Sequence, residues 1–211
     1  MSEAAVVRKL KVLHDELDAC TSCAKMIGPV VHGKAIASKV ILVGQAPGPR
    51  EGSFGKPFAW TAGRTLFRWF EESMALTEET FRERIYMAAV ARCFPGKANG
   101  GGDRKPDPKE IESCRRFLRK EVEILQPDLV IAVGTLAIYE VLGDWAKKKK
   151  LDELIGKVER TTWHGRELDV ISLPHPSGAS PWHRMEPGKT LLGKALKLIK
   201  KHPAMREVLA S

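Results

Sequence analysis

The segment that most constrains the fold is VILVGQAPGPREGSFGKPFAWTAGRTLFRWF, residues 40–70. Val40 to Val43 is a short, β-branched apolar run, which suits a buried strand better than a helix. Gly44 ends it, and Gly44-Gln45-Ala46-Pro47-Gly48 turns the chain. Three more residues of punctuation, Gly52, Gly55 and Pro57, keep the next stretch irregular. Thr61 is expected to cap the following helix, with Leu66, Phe67 and Phe70 on one face. A strand, a glycine-rich loop and a helix in that order place backbone N–H groups at the carboxyl end of a sheet, where α/β proteins bind ligands. The loop is not a phosphate-binding P-loop: Arg50 stands where the first glycine belongs, and Lys56 is followed by Pro57 rather than Ser or Thr. Phe58 and Trp60 are large aromatics in a polar segment, and each must pack on core or on a ligand.

The rest of the chain alternates in the same way. Residues 4–18 carry one apolar stripe, Val6, Val7, Leu10, Leu13 and Leu17, and read as a helix that delivers the chain to Cys20 and Cys23. Residues 24–38 are irregular around Gly28-Pro29 and Gly33. Thr77 caps a short helix, and residues 85–91 read as a second buried strand ending at Arg92-Cys93. Residues 94–107 form a loop with Gly100-Gly101-Gly102. Asp107, Pro108 and Glu110 make a capping box that opens a helix to about Leu125, carrying Cys114. A third strand covers 128–133, a helix 135–142, two more strands lie near 158–163 and 168–173, and Pro174-His175-Pro176-Ser177-Gly178 breaks the last. The closing helix runs from 189 to 200. Such alternation predicts one α/β domain over residues 1–211, with a mostly parallel central sheet flanked by helices. Parallel strands would bring the Gln45 loop, the Cys93 segment, the Gly134 turn and the His175 loop to one rim.

At 211 residues the chain is long enough to bury roughly 70% of its unfolded surface. A net charge of +9 favours polyanionic partners, nucleic acid before an anionic membrane surface. The Lys147–Lys150 run reads as a solvated basic face. No apolar run could span a bilayer, and the first ten residues have no signal-peptide h-region; a cytoplasmic monomer is expected, without membrane contact. Four cysteines in such a chain are metal ligands or small core residues before they are disulfides.

GQAPGPREGSFGKPF resembles the first motif of the uracil-DNA glycosylase superfamily in its iron–sulfur branch, Gly-Glu-x-Pro-Gly-x-x-Glu continuing to Gly-x-Pro-Phe. HPSGAS resembles the second, His-Pro-Ser. The resemblance implies that Cys20, Cys23, Cys93 and Cys114 hold a [4Fe–4S] cluster with a stapling rather than redox role. Cys₄ sets also suit zinc, although the 20 residues between Cys93 and Cys114 are unlike a zinc ribbon. It further implies hydrolysis of the N-glycosidic bond of a flipped nucleotide. His175 would stabilise the departing base and Phe58 would stack on it, with Gly44, Ala46 and Ala89 beside it. Ser177 or Gly178 would hold a backbone phosphate, and Trp182, His183 and Arg184 would wedge into the duplex.

Three departures bear on activity. Gln45 stands where the family has its water-activating glutamate; Gln45 could position water without accepting its proton, and the retained Glu51 is the fallback for orienting water or stabilising the cation. Ala89 stands where an Asn commonly reads uracil, which points to a wider range of deaminated or modified bases. The loop before Cys114 is longer and richer in glycine. The expected function is excision of uracil and related bases from DNA; the alternatives are a feebly catalytic binder of damaged or abasic DNA, and a nucleotide-processing or redox Fe–S protein.

Overall fold

The computed structural model describes residues 1–210. Five strands, β1 (Val40–Gly44), β2 (Tyr86–Ala89), β3 (Leu129–Val133), β4 (Val158–Trp163) and β5 (Arg166–Leu173), form one sheet in the order β2-β1-β3-β5-β4. All neighbours are parallel except β4, which runs antiparallel to β5. β1 and β3 lie at the centre, with Ile41 opposite both Tyr86 and Val130. Every residue of these two strands is buried, which is why they read as unbroken apolar runs. β2 and β4 are the edges, and the exposure of β4 alternates as a strand covered on one face should. It joins β5 through His164-Gly165, both at positive φ (48° and 80°), the backbone that a tight hairpin needs.

Alternate strand residues face two helical layers. Val40, Leu42, Ile131, Val133 and Ile171 point to a layer containing α3 (Thr61–Met74), α9 (Gly188–Lys201) and α10 (Pro203–Ala210). Ile41, Val43, Val130, Ala132 and Val170 point to α1 (Glu3–Asp18), α5 (Pro108–Leu125) and α6 (Thr135–Leu142). Short helices fill the connections: α2 (Glu51–Phe54), α4 (Glu78–Arg84), α7 (Asp144–Lys147) and α8 (Leu151–Leu154). None of the described helices is long and apolar enough to cross a membrane.

The capping box on Asp107 and Glu110 forms, as does the Thr77 cap. Thr61 does not cap: Trp60 occupies that position, without a side-chain bond, and Thr61 is the first helical residue. The second strand is shorter than expected and stops at Ala89. Beyond it Val90 and Ala91 still donate to the Gly44 and Gln45 carbonyls (2.9 and 3.0 Å), but the chain is already curling towards Cys93. α10 was not expected; His202-Pro203 breaks the terminal helix and Ala204, Met205 and Val208 cover the core behind the break.

Candidate active site and cysteine pocket

The carboxyl ends of β1, β2 and β5 open into a cavity of about 410 Å³ that Gly44, Gln45, Ala46, Phe58, Ala89, His175 and Ser177 all line. Phe58 dominates it. Its backbone is left-handed (φ 53°), an arrangement costing about 1–3 kcal/mol that surrounding contacts must maintain. Arg82 supplies two of these contacts, its guanidinium donating to the Pro57 and Phe58 carbonyls (2.9 and 3.1 Å) while it lies 4.6 Å over the Phe67 ring. Two glycines supply space. A methyl at Gly44 would lie 2.9 Å from the Phe58 ring, and one at Gly63 only 1.7 Å from the Phe58 carbonyl oxygen. Nothing in the charged sequence of α4 sets Arg82 apart from its neighbours.

Glu51 is buried at the start of α2 and occupied with the loop itself. Oε2 accepts from the Gly48 amide (3.0 Å) and Oε1 from the Ala59 amide (3.1 Å). Burial raises its pKa, and those amides together with Arg82 oppose the rise. The carboxylate therefore closes the glycine-rich loop onto Phe58.

His175 leaves β5 by way of Pro174 and lies over Gly134, where a methyl would come 3.0 Å from its ring. Its Nδ1 faces both the Ser177 amide (3.2 Å) and the Ser177 hydroxyl (2.9 Å). Because the amide can only donate, Nδ1 is an acceptor, and the neutral ring carries its proton on Nε2. Burial lowers the pKa; Asp103 opposes this and His183 adds to it. The site thus holds an uncharged imidazole with one free N–H. Asp103 reaches the rim of the same cavity from the exposed loop ahead of α5, together with Lys97 and Gly102; glycines alone do not reveal that the loop borders this site.

The segment after His175 departs from expectation. His183 is buried and meets Trp69 edge to face, with ring centroids 5.2 Å apart, and Trp182 packs on the core. A methyl at Gly188 would collide with the Trp182 carbonyl at 2.0 Å, so the turn is built around that residue. Trp182 and His183 are accordingly anchors, not free wedges, and the large exposed side chains that follow them are those of Arg184 and Met185, the latter 62% exposed. Ser177 lines the cavity, and Gly178 is within reach of the Arg184 guanidinium. On the opposite rim Trp60 stacks with the exposed Phe54 (5.9 Å), and Arg50 sits 4.4 Å over the indole.

A second cavity, of about 510 Å³, is lined by Cys20, Cys23, Cys93 and Cys114. Reciprocal backbone bonds between Ile27 and Phe94 (2.8 and 2.9 Å) hold the first pair beside the third, and α5 presents the fourth. No three of the described His, Cys, Asp or Glu side chains converge on a point where a single ion would sit. Burial, then the neighbouring thiols, pushes Cys93 up to about 11. Cys20 is lowered despite its own burial, by bonds from Ser22 and by Arg116, whose Nη2 is 3.7 Å from the sulfur. Next to this cavity Arg92 is fully buried and paired with Glu121, and its Nε donates to the Ala89 carbonyl (2.9 Å), which ties the two cavities together.

The sequence profile described as the Uracil DNA glycosylase superfamily matches residues 30–200. The type-4 uracil-DNA glycosylase of Thermotoga maritima is 30% identical over 171 residues, spanning 80% of this chain and 81% of that protein. The type-4 uracil-DNA glycosylase of Saccharolobus solfataricus is 28% identical over 81% of this chain and 76% of its own length. That of Pyrobaculum aerophilum is 28% identical over 80% and 83%.

Proposed function

Since the chain belongs to the uracil-DNA glycosylase superfamily, we infer that it is a hydrolase that removes uracil from DNA and leaves an abasic site for base excision repair. The observation that carries this reading is the neutral His175, with Nε2–H free, in the same cavity as Phe58. Cleavage separates an oxocarbenium sugar from an anionic base, so the rate depends on donors aimed at the base oxygen where charge develops. Nε2–H is such a donor, and a neutral imidazole suits an anion that forms only in the transition state. Phe58 stacks on the extruded base. Backbone groups from Gly44 to Ala46 line its edge, and the methyl of Ala89 leaves that edge unread. This last feature favours a range wider than uracil, including other deaminated or 5-substituted bases.

DNA reaches the cavity across a basic surface. Ser177 and Gly178 hold a phosphate beside the flipped nucleotide. Arg184 and Met185 enter the space it vacates, and Phe54, Trp60 and Arg50 support the strand at the other rim. The protein acts as a single-domain monomer without a membrane partner.

The four thiolates would hold a [4Fe–4S] cluster, which when bound supplies positive charge and four cross-links at a distance from the hydrolysis. In support, all four sulfurs line one cavity, brought there by three separate segments of the chain.

Incubation with a uracil-containing duplex, followed by alkali, should nick the strand at the uracil. A strand left intact by excess protein that binds the duplex would replace this reading with that of a damaged-DNA binder. Metal analysis should give about four irons per chain.

A further inference from the structure

Water attack at C1′ needs a proton acceptor, and the sequence leaves that role open because Gln45 cannot take a proton. The cavity has two carboxylates, Glu51 and Asp103. Glu51 is engaged through both oxygens with the Gly48 and Ala59 amides, and its withdrawal would release the loop that carries Phe58.

Asp103 stands differently. Residues 96–104 form a small hairpin in which Lys97 and Asp103 are bridged antiparallel. Ala98 donates to the Gly102 carbonyl (3.1 Å) and Arg104 to that of Gly96 (3.0 Å). Gly96, Gly101 and Gly102 all have positive φ, so glycine is what lets this chain turn so tightly. The hairpin is moored at its base, where Arg104 forks onto Glu110 at 2.7 and 2.6 Å. Where the hairpin meets the cavity, Lys97 Nζ donates to Asp103 Oδ1 (2.6 Å) in a pair that stays exposed to solvent, while Oδ2 faces the first loop, 3.9 Å from where a methyl on Gly48 would lie. Asp103 is also the largest charge acting on His175, opposing the effect of burial there.

We propose that Asp103, held at the rim of the cavity by the 96–104 hairpin, is the carboxylate that orients and deprotonates the attacking water. The role rests on the glycosylase reading above. In the step, the C1′–N1 bond breaks and its electron pair leaves with the base, whose O2 is held by His175 Nε2–H. Water oxygen bonds to C1′, and the water proton passes to Asp103 Oδ2. Solvent then takes that proton and supplies one to the departed base, so one water is consumed and neutral base and abasic DNA are formed. Asp103 lines the same cavity as Gln45 but comes from the 96–104 hairpin, not from the loop after β1. The proton acceptor has thus moved from the first loop to a different segment.

The test is single-turnover excision by the intact protein on a uracil-containing oligonucleotide, with affinity measured separately by anisotropy. Asp103→Asn keeps the shape and should slow excision by about 10²–10³-fold, within the usual contribution of a general base, with affinity little changed. Lys97→Ala removes the pin but leaves the carboxylate, and should cost less than about tenfold. Added formate should partly restore the rate of Asp103→Ala, because a dissolved carboxylate replaces a proton acceptor but not a loop contact. Undiminished excision by Asp103→Asn, equal losses in Asp103→Asn and Lys97→Ala, or a rate indifferent to formate would each overturn the role while wild-type excision leaves the glycosylase intact. A wild-type protein unable to excise uracil would overturn both.

Discussion

Protonation of His175 removes the lone pair that Nδ1 offers to the Ser177 amide and sets two donors against each other. Burial depresses the pKa below the ordinary histidine value of 6.5, so the neutral form persists as the pH falls through 6.5. Excision should therefore hold its His175-dependent rate at pH 6.5 and lose it only in more acidic buffer; an exposed histidine would already be half protonated there. His175→Ala should lose about 10²–10³ in single-turnover rate with DNA affinity little changed. Equal losses in rate and affinity would make His175 a DNA contact instead. Ala89 bears on selectivity in the same cavity. It is buried and lines the cavity, and its carbonyl is already bound by Arg92, so on the proposed reading only the methyl is left for the base. A buried amide left unpaired by the wrong base can discriminate by roughly 10⁴-fold, and a methyl cannot. Ala89→Asn should accordingly narrow excision across uracil, 5-hydroxymethyluracil, hypoxanthine and xanthine, measured in matched duplexes. An unchanged range would assign recognition to the Gly44–Ala46 backbone.

Between α2 and α3 the chain is held in a shape that its own residues do not prefer. Phe58 at positive φ is secured by the Arg82 fork, by Glu51 through the Ala59 amide, and by the missing side chains at Gly44 and Gly63. Charged hydrogen bonds of this kind contribute about 1.5–3 kcal/mol, comparable to the cost of the left-handed backbone. Arg82→Met should thus free the loop without unfolding the sheet: excision should fall by one to two orders of magnitude, an estimate of about 1.4 kcal/mol per tenfold, while the unfolding midpoint moves little. Arg82→Lys should not rescue, because an ammonium group cannot reproduce the planar fork. A variant as active as wild type would mean that packing alone positions Phe58.

Across the whole molecule, one buried polar chain joins α1, the sheet and α5. Arg92 pairs with Glu121, Tyr86 donates its hydroxyl proton to Glu121 (2.7 Å), and His14 Nε2 therefore donates to Tyr86 (2.9 Å). Burial, with His32 and Arg92 adding to it, pushes His14 down to about 3 from 6.5. The folded state holds this ring neutral where the unfolded chain would protonate it. Stability from this group is consequently complete above pH 6.5 and lost as the pH falls from 6.5 towards 3, at up to about 1.4 kcal/mol per pH unit. Urea unfolding at pH 7.5, 5.5 and 4.5 should show that slope, and His14→Gln should reduce it by one proton. Equal slopes in the two proteins would place the acid sensitivity elsewhere.

The order of strands and helices was legible because β1 and β3 are apolar on both faces and because Asp107-Pro108-Lys109-Glu110 carries its own cap. The positions of Gly44, Phe58 and His175 followed from local motifs at strand ends, where a parallel sheet collects them. Hydrophobic period and turn chemistry are short-range signals, and a single sequence carries them in full. What lay beyond them depends on segments far apart in the chain. Glu51 reads as a spare acid until two loop amides are found on it. Trp182 and His183 read as exposed until Gly188 and Trp69 are seen to receive them. Asp103 is one charge in a polar loop until the hairpin brings it to the rim of the cavity that His175 lines, and Arg82 is one of several in a charged helix until the Pro57 and Phe58 carbonyls are found on it. Burial and hydrogen-bond partnership are properties of pairs of segments, so only the tertiary structure decided which acid staples the loop, which second acid reaches the rim of the same cavity, and which aromatic belongs to the core.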